Sequence, residues 1–173
     1  MKTLIKIQKT YHVFEILSGI AMVVSFLGTF FALVGMGCCV IWQQSGTLGF
    51  GQEVMRFTGT ESLEPAICEL LSDAVFALTD GILFLLTWRY FKAEQGEGTP
   101  FTHSGANRVK SLGVKIIVMP IVATIISTVI YGCFGVEPSA EWNNAASVIL
   151  GIILILFAQV FHYGAELEKE EKR

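Results

Sequence analysis

Four stretches of this sequence are long and apolar enough to cross a lipid bilayer, and they constrain the fold more than any other feature. A helix rises about 1.5 Å per residue, so about 20 apolar residues cross a hydrocarbon core about 30 Å thick. The expected spans are residues 13–41, 65–91, 112–133 and 142–163. Backbone polar groups in lipid need partners within the protein, which favours helices. The sequence therefore predicts an all-α fold, an integral membrane four-helix bundle in which residues 1–173 form one domain.

The composition is that of a membrane protein. Of the 173 residues, 53% are apolar and only 16% are charged, whereas soluble domains contain roughly a quarter charged residues. The net charge of −3 is small and no basic face is concentrated, so we expect no nucleic acid partner. The first apolar run covers residues 13–42, which is longer than the roughly 7–15 residues of a signal-peptide core. We therefore interpret it as a retained span, and the lipid bilayer as the main partner.

Basic residues are distributed unevenly along the chain. Eleven of the twelve lysines and arginines lie near the N-terminus, in or beside the central polar segment, or in the C-terminal tail, and only Arg56 lies in the two remaining loops. Lysine and arginine close to the ends of spans resist translocation. The sequence therefore predicts a multi-pass protein with both termini and the central segment on the cytoplasmic side.

The central segment, residues 92–111, is expected to be a cytoplasmic loop that contains a short helix. Gly96 and Gly98 are predicted to end the second helix. Thr102 or Ser104 can cap the next helix. We expect the first turns of that helix to lie along the inner membrane surface before the third span begins.

Small residues recur at intervals of three and four along the first span, which places them on one helical face. They are Ser18, Ala21, Ser25, Gly28, Ala32 and Gly35. Because lipid provides little hydrophobic drive for helix association, close backbone approach through small residues becomes a main source of it. We interpret the row as a packing seam within the bundle, and the alternative is a homo-oligomer that forms through the same face.

Three acidic residues lie on one face of the second span, where placing a charge in the bilayer is energetically unfavourable. Glu69, Asp73 and Asp80 are separated by four and seven residues, with Glu69 near the outer interface and Asp80 near the middle. A carboxylate at the bilayer centre costs about 2.5–3.5 kcal/mol on insertion scales and often marks a proton or ion path, or a buried pair. No lysine or arginine lies at the same depth. Asp80 is therefore predicted either to be protonated or to hydrogen-bond to a hydroxyl, the candidates being Ser25, Thr29, Thr124 and Ser127. Glu69 is expected to be solvated.

Two interpretations of these acids stay open at this point. Asp80 is either a polar link between helices, facing its fellow helices, or it has a transport, proton or ligand role. Two further polar residues, Gln159 and His162, lie in the inner third of the fourth span. A single histidine at an interface is more often a hydrogen-bonded anchor than a ligand. The sequence contains no metal-ligand spacing and no catalytic constellation, so we expect no metal, no cofactor and no enzymatic activity.

The four cysteines lie near the ends of spans, at the outer side of the predicted topology. Cys38 and Cys39 end the first span, Cys68 begins the second and Cys133 ends the third. One hypothesis is a disulfide of Cys39 with Cys68 or Cys133, since outer surfaces permit oxidation. The other is that all four are small buried residues that stay reduced.

The central segment resembles a bacterial family catalogued as domain of unknown function 2975. The residues that carry the resemblance are Gly98, Thr99, Pro100, Phe101, Thr102, Asn107, Arg108 and Gly113, with an Ala-Glu-Leu-like turn at residues 164–168. The resemblance covers the chain from the second span onward. It implies four spans, a place in the bacterial cytoplasmic membrane, and a regulatory or immunity-type role without a defined activity.

This chain departs from the family pattern after the capping threonine, where His103, Ser104 and Gly105 replace acidic residues. The departure predicts a weaker cap and a later start of the helix. For function we expect a non-enzymatic accessory protein that binds a membrane or secreted protein partner. The alternative is a small proton- or ion-coupled transporter that uses Asp80 and Asp73.

Overall fold

The computed structural model describes residues 2–45, 50–60, 62–97, 102–137 and 144–171, and within these ranges the chain forms five helices and no strand. The helices are α1 (Lys2–Ser45), α2 (Phe50–Thr58), α3 (Leu63–Glu97), α4 (His103–Phe134) and α5 (Ala145–Glu171). The all-α prediction is confirmed.

Four of these helices are long and apolar enough to cross a membrane. The candidate spans are Gln8–Ile41, Leu63–Gln95, His103–Phe134 and Ala145–Leu167, one for each predicted span. Within their most apolar windows only 6–22% of the residues are buried. So much exposed apolar surface would be unfavourable in water. By length, composition and exposure, the chain has the character of a multi-pass membrane protein.

The chain divides into two compact units. Unit 1 comprises Met1–Met22, Ile82–Pro120 and Asn143–Arg173, and unit 2 comprises Val23–Gly81 and Ile121–Trp142. Unit 1 thus contains α5 with parts of α1, α3 and α4, and unit 2 contains α2 with the remaining parts of those three helices.

In unit 1, α4 and α5 approach each other at two glycines. A Cβ atom on Gly113 would lie 2.8 Å from the carbonyl oxygen of Gly151. The end of α3 packs on α1 through aromatic rings, with the rings of Phe14 and Phe91 stacked 5.5 Å apart. Backbone contact at small residues is the packing mode expected of helices in lipid.

In unit 2, α1 approaches α3 at two glycines of the row of small residues. A Cβ atom on Gly28 would lie 3.7 Å from the Cβ atom of Ala77, and one on Gly35 would lie 3.5 Å from the side chain of Leu70. On the same helix Ala32 is buried. The structure therefore places Gly28 and Gly35 against α3 of the same chain.

Part of the segment between the first two candidate spans is helical. We expected a loop there, but α2 occupies Phe50–Thr58. The helix is followed by Gly59 at φ 69°, a left-handed conformation that suits glycine. The sequence signal was the spacing of Phe50, Val54 and Phe57, at intervals of four and three residues, which is typical of an amphipathic helix.

The predicted central loop is also wrong in its details. α3 continues through Gly96 to Glu97, and α4 is one continuous helix from His103, so the short helix expected within residues 92–111 is not a separate element. The amide of Gly105 donates to Oγ1 of Thr102 at 2.9 Å, which confirms Thr102 as a cap. The expected late start of the helix is wrong. Residues 98–101, which belong to the family motif, lie outside the described residues.

Candidate functional site

Unit 2 contains a groove of about 790 Å³ formed by α1, α2 and α3. Its walls are mostly apolar and include small residues of the α1 row. The lining residues are Gly28, Phe31, Ala32, Val34, Gly35, Cys38, Glu53, Val54, Phe57, Leu70, Asp73, Ala77 and Asp80. Three of them are acidic and, in the part of the chain that the structure describes, none is basic. We call this cavity the acidic groove.

Asp73 and Asp80 both line the acidic groove, and both are exposed to it rather than buried between helices. Neither side chain has a hydrogen-bond or ion-pair partner among the described residues. The predicted link from Asp80 to a neighbouring hydroxyl is therefore not formed. The hydroxyl of Thr29 instead donates to the carbonyl oxygen of Ser25 at 3.1 Å, and Ser127 is fully buried.

α2 forms one wall of the groove. Val54 and Phe57 line it, and the Phe57 side chain remains 89% exposed. Glu53 also lines the groove, and its Oε1 atom lies 3.2 Å from Nη1 of Arg56 in an exposed pair. The acid with a basic neighbour thus lies on the short helix α2, whereas Asp73 and Asp80 lie on a candidate span.

Glu69 has a specific role that the sequence did not indicate. The hydroxyl of Tyr131 on α4 donates to its Oε2 atom at 2.8 Å, and Tyr131 is 3% exposed. The expectation that Glu69 is merely solvated is therefore wrong. This hydrogen bond joins α3 to α4 within unit 2. The Glu69 carboxylate therefore already has a partner within the chain, unlike the carboxylates of Asp73 and Asp80.

In unit 1, Glu94 is a buried acid that no sequence pattern indicated. It is 1% exposed, and its Oε1 atom lies 3.5 Å from Nη1 of Arg108, a residue of the family motif. A Cβ atom on Gly105 would lie 3.0 Å from the same oxygen. A carboxylate beside the first turn of α4 is favoured by the helix dipole. Glu94 therefore supplies from α3 the acid that this chain lacks after Thr102.

The polar residues in the second half of α5 form a separate cluster in unit 1. His162 lies with Nδ1 3.2 Å from Nδ1 of His103 and with Nε2 3.6 Å from Oε1 of Glu166. Gln159 and Asn107 line a neighbouring groove of about 260 Å³ with His162. No group of three or more His, Cys, Asp or Glu side chains within the described ranges could hold a metal ion.

All four cysteines are free thiols in the structure. Cys39 and Cys68 are buried, Cys38 is half-buried and Cys133 is exposed. The disulfide that we considered between Cys39 and either Cys68 or Cys133 is not formed.

The acidic groove contains the carboxylates that are able to interact with another molecule. A carboxylate in apolar surroundings is stabilised by a cation, by hydrogen-bond donors or by a proton. Two such groups, seven residues apart on one helical face, can therefore receive an apolar group that carries positive charge or donors. The fold and this groove together describe a helical chain with four candidate membrane spans and an acidic groove.

Comparisons of the chain with protein-family models, with curated proteins and with solved structures gave no match. Membership of the family catalogued as domain of unknown function 2975 therefore stays a prediction based on the residues of the central segment.

Proposed function

We propose that the chain is a non-enzymatic accessory, regulatory or immunity-type protein of the bacterial cytoplasmic membrane that acts by binding a partner in its acidic groove. In this proposal the four long helices form one bundle and both termini are cytoplasmic. The observation that carries the proposal is the pair of acids, Asp73 and Asp80, which line an apolar groove and have no partner among the described residues.

The cost of these acids supports a binding role. A charged side chain within the bilayer is expensive and is usually paired or functional. Because α3 carries two such residues without a partner in the described chain, the compensating group is expected to come from another molecule. The partner that fits is a transmembrane segment that presents apolar side chains together with a lysine, an arginine or amide donors. Gly28 on the α1 wall is exposed to the groove, and a glycine there allows such a segment to approach closely.

Photo-crosslinking at two adjacent phenylalanines tests this proposal. Phe31 lines the groove, whereas Phe30 is similarly exposed, at 59% against 66%, but does not line it. A photoreactive phenylalanine analogue at position 31 should give a protein adduct in the native membrane, and the analogue at position 30 should not. The adduct should weaken when Asp73→Asn and Asp80→Asn are combined. Equal labelling at both positions, or no effect of the asparagines, would contradict the proposal, and an adduct of two copies would identify a homo-oligomer instead.

A small proton- or ion-coupled transporter is the second candidate, and the same acids favour it. A groove that reaches Asp80 is what a transport path requires, whereas a closed seam would have argued against it. Purified protein in vesicles with an imposed pH gradient would distinguish the two functions. A proton or cation flux that is lost on Asp80→Asn would support transport. If vesicles with the protein show no more flux than vesicles without it, the transport function is excluded and the binding function is retained.

The orientation has its own test. A fluorescent protein that folds only in the cytoplasm, fused after Arg173, should fluoresce, because eleven of the twelve basic residues flank the proposed inner side. A dark fusion with an active periplasmic reporter at the same site would reverse the topology.

A further inference from the structure

Three basic side chains of unit 1 converge on one groove between α3 and α4. The groove has a volume of about 300 Å³ and is lined by Arg89 on α3 and by Arg108 and Lys115 on α4. Leu86 and Leu112 provide apolar walls, and Ser111 adds a hydroxyl. We call it the basic groove.

The charges of the basic groove are only partly compensated within the chain. Glu94 lies 3.5 Å from Arg108 and offsets one positive charge. Arg89 and Lys115 have no ion-pair partner in the part of the chain that the structure describes. Their side chains are exposed, so the groove keeps a net charge of about +2 from three cations and one carboxylate. An anion bound between these side chains would reduce their mutual repulsion.

The general preference for lysine and arginine at one end of the spans does not explain this convergence. Other basic residues of the same helices are directed elsewhere. The Nζ atom of Lys92 lies 4.8 Å from the centre of the Trp88 ring. Lys110 lines the separate groove beside His162. Three of the cations on α3 and α4 nevertheless share one concave surface.

We propose that the basic groove binds the phosphate of an anionic phospholipid headgroup. Arginine and lysine are the side chains that bind phosphate, arginine through its planar fork of donors. The groove of about 300 Å³ is much larger than the space that one water needs, so it has room for a phosphate group. The groove lies on two candidate spans and has leucine walls, so the acyl chains can follow the apolar helix surface. Basic pockets between membrane helices commonly bind anionic lipids in this way.

Native mass spectrometry of the purified full chain tests the inference. The protein is held in a neutral detergent that contains equal amounts of phosphatidylglycerol and phosphatidylcholine, and the detergent is removed in the mass spectrometer. We expect the wild-type protein to retain phosphatidylglycerol preferentially. Arg89→Gln and Lys115→Gln should each lower its retention about fivefold, the equivalent of about 1 kcal/mol per basic residue. Lys110→Gln is the matched control, because it removes the same charge from α4 but lies outside the groove, and its retention should match the wild type.

Three results would overturn the assignment. Equal retention of the two lipids by the wild-type protein would exclude a preference for anionic headgroups and needs no variant. A loss on Lys110→Gln as large as on Lys115→Gln would show that general charge and not the groove attracts the lipid. Displacement of phosphatidylglycerol by excess inorganic phosphate would assign the groove to a soluble phosphate instead. Circular dichroism of each variant should give the wild-type helix content, since both substituted side chains are exposed.

Discussion

A Cβ atom on Gly151 of α5 would lie 2.7 Å from the carbonyl oxygen of Gly113 on α4 and would also overlap the side chain of Ile117. The two backbones therefore meet where neither helix has room for a side chain. Gly113 is one of the residues that carry the resemblance to the bacterial family. The close contact gives a physical reason for a glycine at this position. Close approach of this kind lets dispersion contacts hold two helices together in lipid.

Replacement of Gly151 by alanine should destabilise the protein. The added methyl group forces α4 and α5 apart, and overpacking of this kind typically costs about 1–3 kcal/mol. Gly132→Ala is the control, because a Cβ atom there meets nothing within 4 Å and alanine favours the helix. Unfolding in detergent, followed by circular dichroism, should show a loss for Gly151→Ala only. Equal stabilities of the two variants would disprove the close contact.

Loss of the buried carboxylate in unit 1 should cost more than loss of an exposed one. Glu94→Gln removes the carboxylate that lies 3.5 Å from Arg108, and breaking a buried pair costs about 3–5 kcal/mol. We expect the lower end, since the Arg108 side chain is 36% exposed. Glu53→Gln disrupts the exposed pair with Arg56, whose side chains are 67% and 77% exposed, and should change the unfolding free energy by no more than about 1 kcal/mol. Denaturant unfolding of both variants measures the difference, and similar values would mean that the Glu94 pair is solvated.

Tyr131→Phe should remove a specific link between α3 and α4. The variant keeps the ring but loses the donor to Glu69, and hydrogen bonds to charged groups contribute about 1.5–3 kcal/mol. Tyr163→Phe is the comparison, because Tyr163 is 62% exposed. Thermal unfolding in the same detergent should show a lower Tm for Tyr131→Phe alone, and an unchanged Tm would indicate that Glu69 is compensated by water.

Asp80→Asn should leave folding intact. The side chain has no partner among the described residues, and asparagine has nearly the same shape with no charge to desolvate. The yield of monodisperse protein and its Tm should be equal to or higher than those of the wild type. If a transport or binding assay then gives full activity, Asp80 has no titrating role.

All four cysteines should react with an alkylating reagent after denaturation without reductant. The structure has them as free thiols, so intact mass spectrometry should show four added groups. Two added groups would restore the disulfide hypothesis for Cys39, Cys68 or Cys133.

Local features of the sequence predicted the elements well but not their partners. The periodicity of small residues on α1 predicted a packing face, and Gly28 and Gly35 do lie against α3. The shared helical face of the acids on α3 was consistent with Asp80 as a polar link that faces its fellow helices, yet Asp73 and Asp80 line an open groove. A row of equal spacing gives the face of a helix but not how closely the neighbouring helix approaches it.

The sequence by itself determined the all-α class and the four long apolar helices, because the need to satisfy backbone polar groups in lipid acts on each segment separately. Only the tertiary structure decided that Glu94 meets Arg108, that Tyr131 donates to Glu69 and that Gly113 meets Gly151. These contacts join residues 14 to 62 positions apart in the chain. They depend on the rotation and register of one helix against another, which no single segment contains.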